Sequence, residues 1–176
     1  MMFSRFLGAA FVAALCATSM ASAQQATPVP NLKPDFSSMQ FLLGTWNCKT
    51  VKNTMGRGSG RTETDVNTMT LDGHYMLTNS TSKPFDKART TTLVSQGWLG
   101  YDTVKKQWYT FGISNFGGFG MSTSPGWKGN KIVWTDTYSS DGQPLGLTTI
   151  TKVSDTKTTS ANVTKGQASS DQCTKS

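Results

Sequence analysis

From Thr45 onward, apolar and polar residues alternate with a period of two, the pattern of half-buried strands. Threonine, valine and aromatic residues dominate this region, and these side chains fit a pleated surface. Ten runs are predicted as strands, at about 45–52, 61–71, 74–82, 91–101, 107–115, 118–124, 131–139, 146–154, 158–165 and 170–174. Turn signals separate them: Asp72-Gly73, Pro84 to Lys87, Asp102 to Lys106, Pro125-Gly126, Gly129-Asn130 and Asp141-Gly142. Connections this short join antiparallel neighbours, because a parallel crossover needs a dozen or more residues. The predicted topology is a meander. In the run from Lys131, the alternation places Ile132, Trp134, Asp136 and Tyr138 on one face and Val133, Thr135 and Thr137 on the other.

One stretch has a different period. Asp35 to Ser38 can cap a short helix whose apolar side is Phe36, Met39, Leu42 and Leu43, with Gly44 ending it. A sheet of this many strands must hide its edges and bury one face, and closure does both. The expected fold is all-β: a closed antiparallel meander β-barrel of eight to ten strands, preceded by a short N-terminal helix. A two-sheet sandwich is the alternative. Cys48 and Cys173 bear on the choice, because a disulfide between the first and last strands is natural where a barrel makes them neighbours. Such a bond encloses nearly the whole domain, for which the chain-entropy relation gives about 5 kcal/mol. There is no C-x-x-C spacing, so a structural staple is expected rather than a redox pair.

The first 23 residues read as an export signal: Arg5, an apolar run from Phe6 to Ala17, and Ala21-Ser22-Ala23 as the cleavage pattern. Residues 24–34 carry Pro28, Pro30 and Pro34 and read as an extended linker. Residues 35–176 are then a single domain, exported to the periplasm or beyond, where a disulfide persists. The apolar run is too short to span a bilayer, so a soluble chain is expected. Lysine and arginine number 17 against 10 acidic residues, but the lysines are scattered along the sequence and form no run. That distribution, with export, argues against nucleic acid as a partner.

Three motifs carry a family resemblance. Gly44-x-Trp46 after a short helix resembles the G-x-W with which lipocalin-type barrels close their floor. Lipocalins proper stack an arginine of the last strand on that indole, whereas the last arginine here is Arg89, so the likeness is to the wider calycin-like architecture. More closely, Phe41-Leu-Leu-Gly-Thr-Trp-Asn-Cys48, Leu71-Asp-Gly-His-Tyr-Met-Leu77 and Gly97-Trp-Leu-Gly-Tyr-Asp102 ahead of Lys106-Gln-Trp-Tyr109 resemble domain-of-unknown-function family 1579. The resemblance implies a calycin-like barrel and a bacterial export signal. It implies no established reaction and no catalytic residues.

Candidate chemistry is sparse. His74 is the only histidine, which excludes multi-histidine metal sites, and neither a metal nor a cofactor is expected. No G-x-S-x-G elbow is present, and Ser80-x-x-Lys83 and Ser154-x-x-Lys157 lack the companion motifs of acyl-transfer enzymes. Asp136 is the one acid predicted to face inward. What remains is an aromatic reservoir, from which Trp46, Trp98, Trp108, Trp134, Asp136, Tyr138, Phe116 and Phe119 are predicted to line a cavity. The reading is a non-enzymatic barrel holding a small apolar or amphipathic molecule. The alternatives are an envelope-associated module with a filled interior, or an enzyme with a carboxylate at the barrel mouth.

Overall fold

Ten antiparallel strands close on themselves. The computed structural model describes residues 33–54, 60–83 and 91–176. The expected signal, linker residues 24–32, the loop at 55–59 and the predicted turn at 84–87 lie outside them. The strands are β1 (Gly44–Asn53), β2 (Thr62–Thr70), β3 (Tyr75–Ser82), β4 (Leu93–Asp102), β5 (Gln107–Ser114), β6 (Phe119–Ser124), β7 (Trp127–Lys128), β8 (Lys131–Ser139), β9 (Leu147–Ser154), β10 (Lys157–Thr164) and β11 (Gln167–Lys175). Each pairs with the next in sequence, except that β6 pairs with β8 while the two-residue β7 only extends the edge of β8. Closure comes from β1 and β11, whose register places Cys48 directly opposite Cys173, and a disulfide joins them.

The two ends of the barrel differ. Turns after β2, β4, β6 and β9 share one end with the chain segment that enters β1. There, instead of an α-helix, Ser37–Leu42 form a 3-10 helix. Gly44, at φ 103°, turns the chain out of it into β1, a conformation that glycine adopts without steric cost. The helix acts as a plug. Met39 and Phe36 are buried beneath the barrel and pack with Met76, Leu99, Trp108, Ile132 and Trp134. The Trp46 indole donates to Leu42 O at 2.7 Å, and Lys175 Nζ donates to Phe41 O at 3.1 Å while standing 5.9 Å from the Trp46 ring. A lysine of the last strand thus supplies a cation over the G-x-W indole.

Asn67 of β2 is the polar rivet between plug and wall. It is buried, donates from Nδ2 to Leu42 O at 2.8 Å and accepts from Thr78 Oγ1 at 2.6 Å. Truncation removes the acceptor of the Thr78 hydroxyl and one of the two donors on Leu42 O, which keeps the Trp46 indole, so Asn67→Ala is expected to cost about 1 kcal/mol, measured by urea unfolding.

A bulge in β8 corrects one predicted alternation. Met121 faces Tyr138 and Ser122 faces Asp136, so Thr137 is an extra residue in the ladder. One inserted residue flips the side chains beyond it. Tyr138, predicted to share a face with Trp134, is 48% exposed instead.

Candidate functional site

Inside the barrel lies a cavity of about 360 Å3, within the range of small-molecule pockets. Its lower half is apolar: Met39, Trp46, Met76, Leu99, Ile132 and Trp134 form the floor, with Trp127 beside them. The rest of its wall is polar and carries charge, because alternation along β1, β2 and β11 turns Thr50, Glu63, Asp65 and Asp171 inward along with both half-cystines, and Arg61 lines it beside them.

The acids are held differently. Asp171 accepts from Thr50 Oγ1 at 2.7 Å and from Ser160 Oγ at 3.0 Å, one donor on each oxygen. Glu63 pairs with Arg61, whose Nε also donates to Ser82 Oγ at 2.6 Å. Asp65 Oδ1 accepts from Ser80 Oγ at 2.5 Å, whereas its Oδ2 faces Cys48 Sγ at 3.7 Å, and a disulfide sulfur has no proton to give. Burial pushes the Asp65 carboxyl above its ordinary value of 3.8 and the neighbouring Asp171 adds to this; the Ser80 hydrogen bond and the Arg61 charge oppose it. The disulfide, flanked by Asp65 and Asp171, is part of the cavity wall as well as the seam of the barrel.

The predicted lining residues divide into three groups. Trp46 and Trp134 line the cavity. Trp108 belongs to the core beneath it, edge-on to Phe36 at 5.1 Å and to Tyr101 at 5.0 Å. Trp98, Phe119 and Tyr138 stand on the outer wall instead. There a row in register, Leu77–Trp98–Phe111–Met121–Tyr138, runs across β3, β4, β5, β6 and β8. Phe119 stacks on Tyr138 at 5.0 Å, and Phe116, on the β5–β6 turn, is 55% exposed.

Asp136 lies outside the main cavity. It accepts from Ser122 Oγ at 2.7 Å and from the Gly146 N–H at 3.0 Å, and lines a separate hollow of about 170 Å3 with Tyr138. Those bonds give it the work of fastening the 140–146 segment to the β8 bulge. Phe119 borders another hollow of about 370 Å3 at the open end, where Gly97, Gly112 and Gly120 stand side by side on β4, β5 and β6 and leave the wall without side chains. Sequence reasoning missed Asp65 and Asp171.

No protein-family model matches this sequence, and no match is found among curated proteins. The functional reading therefore stands on geometry.

Proposed function

We propose that this protein is an exported carrier that holds a small amphipathic molecule in its barrel, apolar end on the tryptophan floor and hydrogen-bond-donating, cationic head between Asp65 and Asp171. One observation carries the reading: the 360 Å3 lumen has an apolar floor and, away from it, three carboxylates of which Arg61 pairs with Glu63 alone, so it has a direction. Burying a carboxylate is costly unless something offsets it. The open Oδ2 of Asp65 is suited to an ammonium proton, and a charge-assisted bond of this kind is about twice as strong as a neutral one. The lumen also favours a carrier over a barrel with a filled interior. Membership of domain-of-unknown-function family 1579, with its calycin-like barrel, accords with the closed ten-strand meander, the G-x-W floor and the cation of Lys175 over Trp46.

The test compares two amphiphiles of equal chain length below their micellar concentrations, dodecylammonium and dodecyl sulfate, by the fluorescence of the cavity tryptophans. The cationic probe is expected to bind saturably and at least about tenfold more tightly. That preference is informative because the chain carries a formal net charge of +7, which by itself favours the anion. Equal weak responses to both would defeat the directional reading. A saturable response to neither would defeat the carrier reading altogether.

A further inference from the structure

The lysines that form no run in the sequence gather in space. Turns at the plugged end carry Lys105 and Lys106 after β4, Lys128 and Lys131 around the β7–β8 turn, and Lys157 after β9, while Lys33 reaches the β2–β3 turn at Gly73. All six are exposed, and among the described residues none is in a salt bridge. Four aspartates share this end, Asp35, Asp72, Asp102 and Asp155, fewer than the lysines. Asp102 accepts from the N–H groups of Val104 and Lys105, Asp35 from that of Ser37, and Asp155 pairs with Lys152. By contrast, the described residues toward the open end mix signs more evenly, with Lys52, Lys83 and Lys165 in the same half of the barrel as Asp136, Asp141 and Asp171.

A second feature shares this end. The two most exposed large apolar side chains among the described residues are Val104, at 89%, and Leu71, at 64%. Both are at turn tips, Leu71 after β2 and Val104 after β4, with β3 and β4 adjacent between them. Leu71 is held at φ 49°, a backbone conformation unusual for a bulky residue, and this turns it outward on a three-residue 3-10 segment. Among the described residues, no helix is long and apolar enough to cross a membrane.

From these we infer that the plugged end docks on an anionic bilayer, with the lysines on lipid phosphates and Leu71 and Val104 dipped into the headgroup layer. A ring of cations attracts an anionic leaflet over about one Debye length, and apolar tips add a short-range term that only a lipid surface satisfies. A soluble polyanion would use the lysines but not the tips. The docking geometry is independent of what the lumen holds, and it leaves the open end of the barrel facing away from the membrane.

The test is sedimentation of the exported protein, its N-terminus checked by mass, with vesicles of phosphatidylcholine containing one third phosphatidylglycerol. Binding is expected on these vesicles, absent on pure phosphatidylcholine, and lost near 1 M salt, where the Debye length is about 3 Å. K105E/K106E should weaken it more than about tenfold. K52E/K165E, which changes net charge equally but at the open end, should stay within about twofold. L71S/V104S, at exposed positions that leave the core intact, should weaken it at least about threefold. Equal loss in the open-end variant would overturn the inference, because net charge alone would then explain binding. Full binding by L71S/V104S would overturn it in favour of a polyanion site.

Discussion

Converting Cys48 and Cys173 together to serine is expected to lower stability by about 5 kcal/mol, the largest single effect in the molecule. The bond spans a separation of 125 residues, and a loop that long restricts the unfolded chain severely on the chain-entropy relation. The native state adds a reason of its own. In a meander, every other seam joins strands that a short connection already holds together, whereas β1 and β11 are joined by nothing shorter than the whole barrel. Their ladder, from Trp46↔Lys175 to Asn53↔Ser169, is the one seam that no short connection supports without the covalent link. For a domain of this size the loss corresponds to about 10–20 °C in the melting midpoint. Calorimetry of the double variant, or of wild type in reductant, checks it. A shift of only a few degrees would mean that the hydrogen-bonded seam and the plug, through Lys175 and Phe41, hold the closure unaided.

The strand order was legible because local signals carried it. Turns such as Asp72-Gly73, Gly129-Asn130 and Asp141-Gly142 announced themselves by glycine, asparagine or aspartate, and β-branched threonines filled the strands between. Strand β7 escaped notice because two residues make no pattern, and the bulge at Thr137 escaped because period two cannot register one added residue. The facing of the strands was much less legible. Apolar side chains are expected inside, but on β4 both Trp98 and Leu99 are apolar, and only one can face the lumen. It is Leu99, 6% exposed, while Trp98 joins the outer row.

On β2 the usual rule inverts. Thr62, Thr64 and Val66 face out while Glu63, Asp65 and Asn67 face in, so an alternation that reads as a solvated acidic face is the lumen wall. The partners that make this tolerable, Ser80 on β3 and Arg61 ahead of β2, adjoin it only once the sheet forms. A lumen half filled with hydroxyls and carboxylates cannot be told from an exterior by hydrophobicity.

Asp65→Asn is expected to make the protein more stable and a worse carrier at once. The folded state binds the Asp65 proton more tightly than the unfolded chain does, because burial is the dominant cause of the raised value. The stabilisation this represents is complete below the ordinary value of 3.8 and is lost as pH rises through the folded-state value, so at neutral pH the charged carboxylate works against folding. Asparagine removes the charge and keeps an oxygen to accept from Ser80, whose bond at 2.5 Å has no other requirement. Wild type and variant should therefore melt alike near pH 3 and diverge above it, with the variant the higher. Affinity for the cationic probe should fall at least about thirtyfold, the scale of removing one partner from a desolvated charge pair. Asp171→Asn should also weaken the probe, but Asp171 already holds two hydroxyl donors and shares its charge with them, so the loss should be smaller. A merely structural Asp65 would show the opposite pairing, a lower melting point with probe affinity unchanged. If both shifts are seen together, the carboxylate costs stability and contributes affinity, the pairing that the proposed carrier role requires.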